Sequence, residues 1–238
     1  VENSRRLVFF GGAGVSTESG IPDFRSETGL YQSMTKYGRS PEEIISHSFF
    51  MKDPVMFYDY YKNNMIYVDA KPNPAHKALA EWEKKGILAA VVTQNIDGLH
   101  QLAGSTKVFE LHGSVHRNYC MHCHESYPLA YIMDDNNCKN GVPMCRRCGG
   151  MVKPDVVLYE EGLDQQILNG AIEAIRSADT MMVGGTSLVV YPAAGLVEWF
   201  HGSNLVLINK DRTNLDGKAD LVIAGAIGEV LGELSDKA

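Results

Sequence analysis

The sequence predicts an α/β protein: a doubly wound parallel sheet with a small zinc-binding module inserted into it. Three observations carry this. Short apolar or β-branched runs alternate with amphipathic stretches along most of the 238 residues. A glycine-rich turn follows the first run directly. All five cysteines fall between Cys120 and Cys148.

The runs at 7–10, 88–92, 108–111, 180–183, 205–208 and 221–223 read as buried strands. Between them, 75–85 puts Leu79 and Trp82 on one helical face and stops at Gly86. Residues 166–177 (Ile167, Ala171, Ile175) and 193–200 have similar helical patterns. Strands alternating with helices imply a parallel sheet covered on both faces. Residues 117–153 break the pattern, being polar and rich in Cys, His, Asn and Gly with little helical periodicity. Residues 26–74 form a second irregular region of short helical pieces, too long for a simple strand-to-helix connection. The expected division is 1–25, 75–116 and 154–238 for the sheet domain, 26–74 for a helical part of a small domain, and 117–153 for the zinc module.

Bulk properties bound the function. The chain is long enough for one large domain plus a small insert. Its 45% apolar and 21% charged residues are those of an ordinary globular enzyme. No run approaches the ~20 apolar residues of a membrane span. The N-terminus, Val1-Glu2-Asn3-Ser4-Arg5-Arg6, lacks both an initiator Met and the long apolar core of a signal peptide. The expectation is a cytoplasmic chain. A formal charge of −7 argues against direct nucleic-acid binding but not against a Lys-rich protein partner.

The metal signal stands by itself. Cys120-x2-Cys123 and Cys145-x2-Cys148, 21 residues apart, have the form of a tetrahedral zinc site. Four thiolates leave no open position, so one structural Zn2+ per chain is expected. Cys138, His122 and His124 are bystanders once the two hooks fill four positions.

The other signals are individually ambiguous. Gly11-Gly12-Ala13-Gly14-Val15-Ser16 could let backbone N–H groups approach a pyrophosphate at the N-terminus of a helix, or could be a plain tight turn. The third glycine of the dinucleotide fingerprint is missing, with Thr17 in its place. Ser19-Gly20-Ile21-Pro22-Asp23-Phe24-Arg25 adds an aromatic and a cation, or an exposed Pro-turn with an ion pair. Thr93-Gln94-Asn95-Ile96-Asp97-Gly98 leaves a strand at its C-terminal end, where open α/β sheets bind ligands. Its amides and carboxylate could read a carboxamide and ribose hydroxyls, or cap the next helix. Glu110-Leu111-His112-Gly113 places an imidazole at another strand end, as a general base or a structural histidine. Gly184-Gly185-Thr186-Ser187 and Asn209-Lys210-Asp211 follow two further strands. Polar loops converging at one end of the sheet are hard to explain as accident.

Taken together and in order, these residues resemble the sirtuins over nearly the whole chain. The signatures are Gly12-Ala13-Gly14-Val15-Ser16, Gly20-Ile21-Pro22-Asp23-Phe24-Arg25, Thr93-Gln94-Asn95-Ile96-Asp97, Leu111-His112-Gly113, the two cysteine hooks, Gly185-Thr186-Ser187-Leu188 and Ile208-Asn209. The resemblance implies a Rossmann-like large domain, a zinc-binding small domain, and NAD consumed as a co-substrate. It assigns NAD contacts to Gly12, Ala13, Gly14, Ser16, Thr17, Phe24 and Arg25, with Phe24 as a candidate water shield. It assigns Gln94, Asn95, Ile96 and Asp97 to the ribose and nicotinamide pocket, and Gly185, Thr186, Ser187, Asn209 and Ile227 to the adenosine half. His112 matches the general base. Segments 156–159 and 188–191 resemble the edges between which an acyl-lysine peptide adds as a strand, with Val157, Leu158 and Val190 as substrate contacts.

The implied activity is that of an NAD-dependent protein-lysine deacetylase. The acyl carbonyl oxygen attacks the ribose carbon as nicotinamide leaves, and His112 helps deprotonate a ribose hydroxyl. The products are free lysine, nicotinamide and O-acyl-ADP-ribose. The implied partners are acetylated-lysine proteins or peptides, with no membrane or nucleic acid, and the expected state is a monomer. A mono-ADP-ribosyltransferase or a longer-chain deacylase would use the same NAD site, and a non-catalytic zinc-ribbon module is the alternative outside the enzymes. Three departures from the family pattern stand out: Gly11 replaces a Thr, Glu160 stands where a Gly is usual, and the helix before the first strand is mostly missing. Relatives that prefer succinyl or malonyl lysine carry a Tyr and an Arg three residues apart before the Pro-Asn-x-x-His stretch, here Pro72 to His76. No arginine occurs between Arg39 and Arg117 in this chain.

Overall fold

The computed structural model describes residues 4–22 and 33–235. Six parallel strands form the main sheet: β1 (Leu7–Gly11), β2 (Leu88–Thr93), β3 (Val108–Glu110), β9 (Thr180–Gly184), β10 (Asn204–Asn209) and β11 (Leu221–Ala224). Their order is β11-β10-β9-β1-β2-β3, with β1 at a switch point between β9 and β2. All six runs read from the sequence are therefore strands of one sheet. The residues alternate between two cores, as a doubly covered sheet requires. Val8, Phe10, Ala90, Val92, Met181, Val183 and Leu207 face one core. Leu7, Phe9, Leu88, Val91, Met182 and Ile208 face the other.

Helices cover both faces. Helix Pro74–Lys84 buries Ala75, Ala78, Leu79 and Trp82 as a single stripe on the second core, alongside helix Ile227–Ser235. Asn73 caps it in a reciprocal box with His76, and Gly86 ends it at φ +76°. Helix Gln165–Arg176 covers the opposite face with Ala171, Ala174 and Ile175.

The zinc module grows out of the sheet domain on an antiparallel ribbon. β4 (Gly113–Cys120) lies between β5 (Ser126–Pro128) and β8 (Val152–Val156), and the register brings Gly113 opposite Val156. Gly113 has φ +77°, and a Cβ there would sit 1.9 Å from the Asp155 carbonyl oxygen, so only glycine fits this crossing. A two-strand ribbon, β6 (Cys138–Lys139) with β7 (Val142–Pro143), completes the module. Its core is continuous with that of the short helices Pro41–Ile44, His47–Lys52 and Pro54–Asn64. Phe50, Phe57, Tyr58 and Tyr61 pack with Tyr127, Ile132 and Val152 in one cluster.

Four sequence expectations need correction. The 193–200 stretch is a 3-10 helix, Ala193–Trp199, with Pro192 at its N-cap and an i+3 bond from Gly195 N to Pro192 O at its start. β11 is not buried: as the sheet edge it leaves Leu221 52% and Val222 45% exposed. The cysteine-rich segment contains a short helix, Leu129–Met133, anchored by buried Ile132. The glycine-rich turn after β1 opens two 3-10 turns, Ala13–Val15 and Thr17–Ser19, rather than the N-terminus of an α-helix. Among the described residues, no helix is long and apolar enough to cross a membrane.

Candidate functional site

The loops leaving β1, β2, β3 and β9 meet at the C-terminal end of the sheet. Glycines permit this closeness. A Cβ on Gly12 would lie 2.8 Å from Thr186 Cβ, and one on Gly14 would lie 2.8 Å from Gly185 Cα. Gly14 N instead donates to Gly185 O at 2.8 Å, joining the first and fourth loops backbone to backbone. The missing third glycine is not needed here, because Thr17 begins a 3-10 turn and its Oγ1 donates to Gly14 O at 3.0 Å.

Polar side chains cross-link the loops. Ser16, 1% exposed, donates from Oγ to Asp97 Oδ2 at 2.6 Å and accepts from Asn95 Nδ2 at 3.0 Å. Asp97 Oδ1 also accepts from Leu99 N at 2.9 Å, an Asx turn that leads into helix Leu99–Ala103, whose N-cap is Gly98 and carries no side-chain cap. Gln94 N donates to Gly11 O and its Nε2 to Thr186 Oγ1, both at 3.0 Å. Asn209 Oδ1 accepts from Thr186 N at 3.0 Å while its Nδ2 donates to Thr186 O at 2.8 Å. Beneath this layer Asn73 Nδ2 donates to Val15 O (2.7 Å) and Ser19 Oγ (3.0 Å), holding the first loop from below. Glu18 Oε2 accepts from Gly228 N at 2.7 Å, tying the same loop to the C-terminal helix.

His112 sits at the turn from β3 into β4, half-buried. Its Nδ1 lies 3.0 Å from Gln94 O. A carbonyl can only accept, so Nδ1 carries the proton and Nε2 is the basic nitrogen. Two buried histidines lie nearby, His76 and His100, with ring centroids 4.7 Å apart. Burial pushes His76 down to about 4 against the opposing pull of Asp97, and burial pushes fully enclosed His100 well down too. Both are neutral structural rings.

A cavity of about 220 Å³ opens in front of His112. Ala13, Ser16, Gln94, Asn95, Ile96 and Asp97 line it, together with Val157, Leu158 and Val190. Sequence reasoning missed Ile45, Asn64, Met65, Tyr67, Glu161, Leu163 and Pro192, and named Ile21 and Pro22 only as part of the Gly20–Arg25 signature. The end of helix Pro54–Asn64 and the turn after it supply three of them, but no motif marks that turn. Gly12, Gly14, Thr17, Gly185, Thr186, Ser187, Asn209 and Ile227 do not line this cavity. They lie along the neighbouring strand ends, reached through the Gln94–Thr186 bond. Ile227 is buried against Gly184, where a Cβ would meet it at 2.0 Å. Phe24 and Arg25 lie outside the described residues.

The four hook cysteines converge. Sγ atoms of Cys120, Cys123, Cys145 and Cys148 all lie within 4.8 Å of one another, with Cys120–Cys148 at 3.4 Å and Cys123–Cys145 at 3.6 Å. A zinc tetrathiolate with bonds of about 2.3 Å has edges of roughly 3.8 Å, so the cluster is sized for that ion. Burial opposes ionisation of Cys145, but bonds from the Tyr127 hydroxyl (3.0 Å) and backbone N–H groups outweigh it and hold the thiol at about 6. Cys138 points elsewhere, toward Asp134 O and Lys62 Nζ, and His122 and His124 lie outside the cluster.

The comparisons with known proteins agree with this geometry. A family model described as the Sir2 family matches residues 12–192. The NAD-dependent protein deacetylase of Clostridium perfringens is 59% identical over 99% of this chain and 96% of its own length. That of Staphylococcus aureus is 47% identical over 94% of this chain and 90% of its own. A solved Sir2 structure with a p53 peptide and NAD+ superposes with a TM-score of 0.86 at 38% identity, covering 99% of this chain and 94% of that one. Another, Sir2 bound to acetylated peptide, gives 0.86 at 37% with the same coverage. The chain belongs to the Sir2 family.

Proposed function

We infer that this chain is an NAD-dependent protein-lysine deacetylase, moving the acetyl group of acetyl-lysine to ADP-ribose with release of nicotinamide. The observation that carries this reading is the placement of His112: its Nδ1 rests on Gln94 O, and the ring lines one cavity with the polar loops and with Val157, Leu158 and Val190.

NAD fits the donor set by chemistry. Gln94 and Asn95 offer amides for a carboxamide, Asp97 a carboxylate for ribose hydroxyls, and Thr186, Ser187 and Asn209 polar groups for the adenosine half. When bound, NAD supplies an activated ribose carbon that accepts the acetyl oxygen. Everything else falls to the chain. Ser16, Asn95 and Asp97, locked together by hydrogen bonds, keep the pocket preorganised throughout the reaction. The apolar wall from Ile96 to Leu158 keeps water from a bond that would otherwise hydrolyse. His112 Nε2 takes a proton from the ribose hydroxyl. Acetyl-lysine peptides are the partners, adding as a strand between 156–159 and 188–191. The four cysteines hold zinc, and that role is structural: a filled tetrathiolate has no open position for substrate.

The test is mass spectrometry of an acetyl-lysine peptide incubated with the protein, with and without NAD. NAD-dependent loss of the acetyl mass with formation of O-acetyl-ADP-ribose supports the reading; labelled ADP-ribose on protein without deacetylated lysine would overturn it.

A further inference from the structure

The strip that forms one wall of the cavity, Val157 to Glu161, is fastened to the small-domain segment Ile45 to Ser48. Tyr159 N donates to Ile45 O at 3.1 Å, and His47 N donates to Tyr159 O at 3.0 Å. His47 Nδ1 lies 2.8 Å from Glu161 Oε1. Glu161 Oε2 also accepts from Leu158 N at 2.9 Å and from buried Lys153 at 3.1 Å, which sets the inner end of the turn.

The outer end is held differently. Glu160 has φ +76°, a left-handed conformation that favours glycine and strains a residue with a side chain. Turn geometry alone therefore calls for glycine, the residue usual in the family at this position. The glutamate does something a glycine cannot. Its Oε2 accepts from Ser48 N at 2.8 Å and its Oε1 from Ser48 Oγ at 2.9 Å. Both carboxylate oxygens engage one residue of helix His47–Lys52, whose buried Phe49 and Phe50 sit in the small-domain core.

We propose that Glu160 is a positioning residue for the acyl-lysine peptide: a side-chain latch that fixes the Val157–Tyr159 edge against the small domain before the peptide adds to it. This rests on the peptide cleft described above. An extended peptide gains affinity from backbone hydrogen bonds, and it gains most when the receiving edge is already ordered. Glycine would leave the turn free to sample other conformations, and the peptide would have to order it on binding. Glu160 lines the same cavity as His112, but its carboxylate is engaged on the small-domain side by Ser48, so the latch acts on peptide binding and not on the chemistry.

Steady-state kinetics on an acetyl-lysine peptide test this with four variants. Glu160→Gly keeps the turn and removes the latch. It is expected to raise KM for the peptide about fivefold, the loss of roughly one ordinary net hydrogen bond, with kcat and KM for NAD within about twofold of native. Glu160→Gln keeps an acceptor for Ser48 N and is expected to restore most of the loss. Ser48→Ala removes one of the two bonds from the other side and is expected to give an intermediate KM. Val190→Asp, on the opposite edge, is the control for the cleft itself. If Val190→Asp raises peptide KM while Glu160→Gly leaves it within about twofold, the latch is refuted and the cleft stands. If neither changes it, the cleft reading fails and the latch with it. A fall in kcat or thermal stability of Glu160→Gly in step with the KM change would make Glu160 merely structural and also overturn the proposal.

Discussion

Asn209 and Thr186 exchange two hydrogen bonds across the ends of β10 and β9, Thr186 N to Asn209 Oδ1 at 3.0 Å and Asn209 Nδ2 to Thr186 O at 2.8 Å. The pair fixes the loop whose Thr186 Oγ1 accepts from Gln94. Asn209→Asp is nearly isosteric but sets a carboxylate oxygen against a carbonyl oxygen. The expected outcome is a rise of about tenfold in KM for NAD, since a half-buried charge-assisted mismatch costs about 1–3 kcal/mol, with a smaller change in kcat. Steady-state kinetics with varied NAD check it.

Stability should fall in mild acid through the buried histidines. The folded pKa of His76 lies near 4, below its ordinary value of 6.5, and His100 is displaced the same way. The unfolded chain therefore binds protons first, and stability is lost as pH falls from about 6.5 toward 4. At pH 5.5 the loss from His76 alone is about 1 kcal/mol relative to pH 7.5. Urea unfolding at the two pH values measures it, and His76→Gln should reduce the difference while leaving the share of His100.

Zinc should be bound and needed for the small domain. Metal analysis is expected to return about one zinc per chain. Cys145→Ser, which removes a buried ligand hydrogen-bonded by Tyr127, should lower zinc content and thermal stability, because thiolate ligation is coupled to folding. Full metal-free stability would refute the assignment.

Acetyl-lysine should be turned over far better than succinyl-lysine. Among the described residues lining the cavity there is no lysine or arginine, and Ile45, Asn64, Met65 and Tyr67 contribute no charge to it. Lys62, the nearby cation in sequence, bonds instead to Asp135 and Cys138. A carboxylate at the end of the acyl chain would be desolvated without a paired cation. The check is kcat/KM on matched peptides, expected to fall at least about tenfold for the succinyl form.

The amino-acid sequence carries much of the fold and of the site in readable form. The six strands are legible because a doubly covered sheet needs near-continuous apolar runs, and the zinc hooks because paired Cys-x-x-Cys has few other uses. Ser16, Asn95, Asp97 and His112 are legible because strand ends in such sheets carry the ligand loops. The part of the cavity lining from Asn64, Met65 and Tyr67 is not: these are ordinary residues at and after a helix end, and Met65 is held by packing against the cluster that contains Tyr58 and Tyr61. The role of Glu160 is equally hidden, since neither its left-handed backbone nor its bonds to Ser48, 112 residues away, leave a local signal. The exposure of β11 escapes the pattern because periodicity reports a strand but not its place at the edge.

The most direct measurement is the rate of NAD-dependent deacetylation by His112→Ala, on protein whose thermal melting and zinc content match the native chain. With Nε2 gone, the described residues lining the cavity hold no second imidazole, and the expected result is a loss of about 10²–10⁴ in kcat with NAD binding retained. Turnover within a few-fold of native would contradict it.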